Sequence, residues 1–227
     1  MKTIKMTIEL LSDTLSGSGE GFGAVIDSDV QYDECGIPNI SSKRIKGSLR
    51  NSLNDLFDMP AVRNAVKLKN DKDKDKLLNK YFGEKGAAQS SAFSISNFVI
   101  EDYESVRSWF AYLKTQYPSI FSNEIILSSF TNIRRQTKVD DEGIAEDHSL
   151  RTSRVVNKGL SFVADITIEN NDAEFEKYLA LACANLKRIG LKRNRGLGEI
   201  RCSLEGDLIP NTINNFEKVL EGLNEKD

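Results

Sequence analysis

The chain has 227 residues, 39% of them hydrophobic and 29% charged, with a formal net charge of -3. Those proportions describe a soluble globular chain of one large domain, and no apolar run approaches the ~20 residues that span a bilayer. Three cysteines, far apart and without a C-x-x-C pair, and a single histidine argue against a zinc site and for reduced thiols.

The opening "MKTIKMTIELLS" alternates, with Ile4, Met6, Ile8 and Leu10 on one face and Lys5, Thr7 and Glu9 on the other. That is the period of a strand and not the profile of a signal peptide, so a cytoplasmic protein without membrane contact is expected. "GSGEGFGA" follows, then the extended "VIDSDVQYDECGIPNI" with a turn at Cys35-Gly36. Ser41 or Ser42 can cap the next helix, whose buried face is Ile45, Leu49, Leu53 and Leu56. "KLKNDKDKDKLLNK" is a charge run of mixed sign, and the region 58–90 around it is expected to be an exposed, charged helical insertion. "SAFSISNFVI" reads as a second core strand, and "DYESVRSWFAYLKTQYP" as a helix that stops at Pro118.

The second half repeats the plan. "LSFVADITIE" is a strand with Phe162, Ala164, Ile166 and Ile168 inward. Asn171 and Glu174 form a capping-box pattern, Phe175, Leu179, Ala182 and Leu186 mark a helix, and Gly190 is placed at its end. Ile200, Cys202 and Leu204 alternate in a last strand, followed by a tail over 206–227. Strand-helix-strand twice over is the ferredoxin-like, split βαβ order of an α+β, RRM-like fold. Such a fold leaves one sheet face open, the face that RNA-binding domains of this fold use.

Three segments carry chemistry. "SSKRIKGSLR" contains Lys43, Arg44, Lys46 and Arg50 and no acid, in a chain that is acidic overall. A solvated helix face is one explanation; a bound anion at the start of a helix is the other. "GSGEGFGA" satisfies G-x-G-x-x-A through Gly19, Gly21 and Ala24, but it leads into β-branched residues instead of a helix, and no G-K-[ST] follows. Glycines at 17, 19, 21 and 23 exceed the needs of one turn and suggest close approach of the backbone to a ligand. In "IGLKRNRGLGEIRC", Lys187 and Arg188 answer a helix dipole, whereas Lys192, Arg193 and Arg195 lie beyond the helix, beside Gly196 and Gly198. Two basic islands in a pseudo-repeated fold suggest a phosphate-binding stripe.

These residues carry a family likeness. "GSGEGFGAVIDSDVQYDECGIPNISSKRIKGSLR" resembles the N-terminal signature of RAMP proteins, the repeat-associated backbone subunits of type III CRISPR effector complexes. The shared pattern is the glycine-rich loop, Ile26-Asp27, Gly36 and Pro38, Lys46-Gly47 and Arg50. "RNRGLGEIRC" is similar to the family's C-terminal glycine loop, and "RRQTKVDDEGIAEDHSLRTSRVVNKGLSF" to its thumb hairpin and the strand after it. One departure stands out: Ser41 and Ser42 occupy the place of the usual Pro and Gly, and Lys43-Arg44 that of Ser-Ser.

The resemblance implies a single RAMP domain over 1–227 with a thumb hairpin inserted at 130–158. It implies partners: CRISPR guide RNA, target RNA, copies of the chain or related RAMP subunits, and the large and small subunits of a type III effector complex. Ser42, Lys43, Arg44, Lys46 and Arg50 would hold guide phosphates in the palm. Arg134, Arg135 and Arg151 would meet RNA from the hairpin, and Lys192, Arg193, Arg195, Gly196 and Gly198 from the second glycine loop. In active members an aspartate beside the kinked RNA supports cleavage of target RNA at regular intervals with Mg²⁺ or another divalent metal; here it corresponds to Asp27, as catalytic residue and as metal ligand. Read from its neighbours alone, Asp27 is a turn carboxylate bonded to its own backbone. The alternatives are a catalytically inactive, guide-holding structural subunit and a guide-processing ribonuclease. The latter wants a histidine near the first helix or glycine loop, and the only histidine, His148, lies in the hairpin.

Overall fold

The alternation of Ile4, Met6, Ile8 and Leu10 builds the strand expected of it, β1 (Lys2–Leu10), with all four side chains sealed from solvent. In the computed structural model, which describes all residues except 18–25, 85–90, 139, 140, 145, 147, 170, 171 and 225–227, the chain continues through a short β2 (Asn39–Ile40). Helices α1 (Ser42–Phe57), α2 (Pro60–Ala65) and α3 (Asp71–Phe82) follow, then strands β3 (Phe93–Ile95) and β4 (Phe98–Ile100). Next come α4 (Tyr103–Gln116), α5 (Asn123–Phe130), and the hairpin of β5 (Thr131–Gln136) and β6 (Arg151–Val156). The last elements are β7 (Ser161–Ile168), α6 (Ala173–Asn185), β8 (Ile200–Leu204) and α7 (Leu208–Asn224).

The main sheet is antiparallel in the order β2-β4-β7-β1-β8, with β3 also paired to β7. Its register places Met6 opposite Ala164 and Leu204, and Ile8 opposite Phe162 and Cys202, so one face is apolar throughout. Against that face pack α1 and α6, through Ile45, Leu49, Leu53 and Phe57 on one side and Phe175, Leu179 and Ala182 on the other. Each fully buried aliphatic or aromatic side chain contributes about 1.5–3 kcal/mol, which makes this shared layer the dominant stabilising element. The opposite face shows Lys5, Asp165, Arg201 and Ser203 to solvent.

Several expectations need correction. The stretch "SAFSISNFVI" is two strands, not one. Ile95 pairs with Ile166 and Val99 with Val163, so β3 and β4 spend one more residue than β7 over the same length. That extra residue is a bulge, and a bulge re-aims side chains. It points Asn97 at α1, where its Oδ1 accepts the Ser42 N–H at 3.0 Å. Ser41 stands at the N-cap position but its side chain makes no capping bond. The cap of α6 is Asp172, whose Oδ1 accepts from Glu174 and Phe175, both at 3.0 Å; Asn171 lies outside the described residues. That helix ends at Asn185, and Gly190 serves another purpose described below.

The charged region 58–90 was expected to be exposed, but α3 is part of the core. Its acidic and basic residues crowd the solvent end, while Leu78, Tyr81 and Phe82 recur at helical spacing and are buried. The rings of Phe93 and Phe175 lie 4.7 Å apart, with Tyr81 5.1 Å from Phe175 and Phe82 5.3 Å from Phe93. The Tyr81 hydroxyl donates to Glu174 at 3.0 Å, and burial together with that carboxylate pushes its phenol up. The tail is also structured: α7 packs on α6, α2 and β8 with Thr212 buried. All three cysteines are free thiols. Among the described residues no helix is long and apolar enough to cross a membrane.

Candidate nucleic-acid interface

The residues that lead into the first glycine segment lie beside the second. Leu15 and Leu191 form an antiparallel bridge, with Leu191 N–H on the Leu15 carbonyl at 2.9 Å. The close approach demands glycine at position 190: a Cβ there would stand 2.5 Å from the Leu15 carbonyl oxygen, at a φ of +81°. The start of α1 joins them, since Arg44 Nη1 and the Leu191 side chain both lie within 4 Å of the position a Cβ on Gly17 would take. The two basic islands of the sequence thus meet through Gly17. Glycines 19, 21 and 23 lie outside the described residues.

The hairpin is attached at its base. Thr131 to Gln136 pair with Val156 to Arg151, and Thr14 exchanges both backbone bonds with Val156, at 2.9 and 2.8 Å. Higher up, the segment around Ser28 adds to the free edge of β6 in parallel. Asp27 N–H donates to Thr152 O at 2.9 Å and Arg154 N–H to Ser28 O at 3.0 Å. The lower half of β6, from Ser153 to Val156, is therefore buried, and this hairpin is not the free-standing element its polar sequence suggests.

Residues 151 to 154 gather the rest. Thr152 N–H donates to Asp27 Oδ2 at 2.7 Å, and Arg151 faces Asp27 Oδ1 at 3.8 Å. Lys192, at a left-handed φ of 54°, carries its ammonium to Ser153 Oγ at 3.0 Å and Gln136 at 3.4 Å. Arg154 is sealed between Asp29 and Glu124. Above Lys192 opens a cleft of about 620 Å³, bounded by the hairpin (Lys138, His148 and Arg151) and by Lys192 and Arg195 of the second glycine loop. Among the described residues its one acid, Glu146, is paired with Lys138 at 2.6 Å. The described lining of the cleft is therefore mostly basic, and Asp27, 42% exposed, lies beside one of its residues, Arg151.

Other site residues sit elsewhere. Lys43 is exposed at the first turn of α1, where no acid competes with it. Lys46 turns to Ser91 and lies 4.9 Å over the Phe93 ring, and burial pulls its pKa down. Arg50 donates to the Gly83 carbonyl at 2.5 Å and to Asn79 at 2.6 Å, so its guanidinium closes the end of α3. The Ser42 N–H is taken by Asn97, so the helix start has one donor fewer for an anion. Arg134 and Arg135 stand on successive positions of β5 and point to opposite faces of the hairpin, Arg134 on the side of Ser153. Arg193 and Arg195 are exposed in a short 3-10 turn, and the Arg193 carbonyl accepts from Arg188 at 2.5 Å. Gly196 needs only its φ of +73°. Gly198 is a packing residue: a Cβ would fall 1.9 Å from the Ile189 carbonyl oxygen, and both its backbone groups are bonded. The open sheet face, expected from fold analogy to serve RNA, carries no aromatic ring among its described residues. Its cross-strand neighbours are Lys5 with Asp165, Thr7 with Val163 and Ser203, and Glu9 with Arg201. Base stacking needs an aromatic or guanidinium platform, and here the guanidinium of Arg201 is bonded to Glu9 at 3.0 Å.

Two residues escaped the sequence analysis: Thr152, whose backbone donor meets Asp27, and Glu124, which meets Arg154. No sequence signal marks either contact, because 125 positions separate Asp27 from Thr152. Asp29, two residues beyond Asp27, is buried against Arg154 and is not available to a ligand. Among the described residues no cluster of three metal-ligating side chains exists, so Asp27 does not form part of a metal cage built by protein alone.

The sequence signature of the RAMP superfamily matches residues 7–201, and the chain belongs to that superfamily. No curated protein matches the sequence. Among solved structures the fold is similar to a chain of the type III-B Cmr-beta complex in its apo state, with 14% identity, a TM-score of 0.63, and coverage of 91% of this chain and 98% of that one. It is also similar to a chain of type III-B Cmr-beta bound to cognate target RNA, with 14% identity, a TM-score of 0.65, and coverage of 92% and 99%.

Proposed function

We propose that this chain is an RNA-holding subunit of a type III CRISPR effector complex, and that it cleaves target RNA paired to a guide. The carrying observation is the placement of the Asp27 carboxylate, bonded to the hairpin strand at Thr152 and facing Arg151, which lines a basic cleft. Superfamily membership and the likeness to Cmr-beta chains support the setting. The strand order β4-β7-β1-β8 with α1 and α6 on one face is read as a split βαβ, ferredoxin-like palm, and the β5-β6 hairpin as its thumb.

The chemistry asked of the protein is small. A kinked RNA brings a ribose 2′-hydroxyl in line with its own phosphorus, so positioning supplies most of the acceleration. Arg151, Lys192 and Arg195 attract and orient phosphate. Asp27, fixed at its Oδ2 by Thr152, presents Oδ1 to accept the 2′-proton as the 2′-oxygen bonds to phosphorus. The bond from phosphorus to the 5′-oxygen breaks, and that oxygen takes a proton from water. Asp27 would be the residue to hold a divalent ion, which would supply further neutralisation of charge.

The test is a complex assembled on guide RNA with complementary target. Asp27→Ala is expected to leave target affinity within about twofold and to lower the single-turnover cleavage rate by about 100-fold. Undiminished cutting would sink the catalytic reading. A guide-holding subunit without cleavage would remain, and one observation favours that second reading: Arg151 already faces the Asp27 carboxylate.

A further inference from the structure

We propose that Arg154 is a positioning residue for Asp27, and that through it the hairpin and the Asp27 carboxylate are held as one unit. The proposal rests on the catalytic reading of Asp27 for its consequence in cleavage, but not for its geometry.

The segment carrying Asp27 is held to β6 by little backbone. The parallel bridge at Ser28 and Ser153 brings two main-chain bonds, Asp27 N–H to Thr152 O and Arg154 N–H to Ser28 O. A pairing this short is marginal by itself and free to slip. Slippage by one residue would carry the Asp27 carboxylate to the other face and away from the Thr152 N–H.

What fixes the register is a side-chain lock beside that bridge. Asp29 lies two residues beyond Asp27, and Arg154 two residues beyond Thr152. Arg154 Nε faces Asp29 Oδ1 at 3.5 Å, with the two side chains 7% and 5% exposed. Asp29 Oδ1 also accepts the Val30 N–H at 2.8 Å, which orients the carboxylate. The same guanidinium donates through Nη2 to Glu124 Oε1 at 2.7 Å, in the first turn of α5, the helix that runs directly into β5. The contact with Asp29 is a buried ion pair without a hydrogen bond, since Arg154 Nε has no hydrogen-bond partner. Glu124 takes the hydrogen bond but is 70% exposed, so its attraction is screened. A one-residue slip would leave both buried charges of the Asp29–Arg154 pair without partners, so the lock opposes it strongly. Any movement of β6 then carries Thr152 and Arg151, the two groups on Asp27, together with Asp27 itself.

The experiment uses the full-length chain. Arg154→Met and Asp29→Asn are compared with wild type by amide hydrogen exchange, and both are assembled with guide RNA for cleavage of complementary target. The expected result is exchange faster by about tenfold or more at the amides of Asp27 and Thr152, with the amides of β1 and β7 unchanged. Target affinity is expected to stay within about twofold while the single-turnover cleavage rate falls by about 10- to 100-fold, the cost of misplacing a reacting group by ~1 Å. Arg154→Lys, which keeps the charge, is expected to recover part of that rate. Unchanged exchange at Asp27 and Thr152 in both variants overturns the lock. Faster exchange with an undiminished cleavage rate overturns the positioning role. Should Arg154→Met fail to fold, the near-isosteric Asp29→Asn decides alone. The Asp27→Ala control reads the cleavage role separately, so failure of that reading is told apart from failure of the lock.

Discussion

Thr152 donates its backbone N–H to the Asp27 carboxylate at 2.7 Å, so the candidate cleavage residue is bonded to the hairpin and not only to its own loop. An amide oxygen can accept the same bond, but it is neutral, takes no proton near neutral pH and holds a divalent ion less strongly than a carboxylate. Asp27→Asn is therefore expected to keep the hairpin attached, with exchange at Thr152 within about twofold of wild type, and to lose about 100-fold in cleavage rate. Cleavage close to wild type by Asp27→Asn would show that charge at this position is not used.

The acid-free stretch at the start of α1 divides into two kinds of cation. Arg50 is bonded to the Gly83 carbonyl and Asn79, so Arg50→Ala is expected to cost about 1–3 kcal/mol in urea unfolding by leaving these acceptors unpaired. Lys43 is exposed, and Lys43→Ala is expected to leave stability within about 0.5 kcal/mol. If Lys43 contacts a guide phosphate, its loss reduces the salt slope of RNA binding by ~0.7. A slope that falls for Arg50→Ala at unchanged stability would move the phosphate contact to Arg50.

Two glycines of the second loop are expected to behave differently. Gly196 has a φ of +73° and open space around it, so Gly196→Ala meets only the backbone cost of about 1–2 kcal/mol. At Gly198 a Cβ would overlap the Ile189 carbonyl oxygen, so Gly198→Ala must also displace the backbone and is expected to destabilise by more than ~4 kcal/mol or to prevent folding. Thermal unfolding of the two variants side by side checks the order; equal losses would mean that the loop yields freely at residue 189.

Alkaline pH tests the turn before α1. The Tyr103 hydroxyl donates to Asp33 Oδ2 at 2.6 Å, while Asp33 Oδ1 accepts from the backbone of Cys35 and Ile37. The hydrogen bond to Asp33, then burial, push the phenol up to about 12 from its ordinary value of 10.0. A phenol whose pKa is raised by folding stabilises the fold while protonated, so its contribution is complete below pH 10 and disappears as the pH rises to about 12. Tyr103→Phe is expected to cost about 1 kcal/mol at pH 8, with the gap to wild type closing through that window. A gap unchanged at pH 12 would mean that the hydroxyl does not titrate with folding.

Sequence by itself determined the elements and their inward faces. Ile4 to Leu10, Phe162 to Ile168 and Ile200 to Leu204 alternate, and Ile45 to Leu53 and Phe175 to Ala182 recur at helical spacing, so burial follows from local period alone. The order of the glycine segments around them also carried the superfamily likeness. The charge run misled because its composition is dominated by the solvent end of α3, while the apolar triplet Leu78, Tyr81 and Phe82 occupies its last turn. Tertiary structure alone decided which polar groups meet. Asp27 reaches Thr152, Lys192 reaches Ser153, Asn97 reaches Ser42 and Arg50 reaches Gly83, across separations that no periodicity encodes. Apolar burial needs only the right face, because it is not directional. A hydrogen bond needs a particular donor within about 3 Å and in line, and that is set by the register of β6 against the 26–30 segment and by the one-residue bulge between β3 and β4.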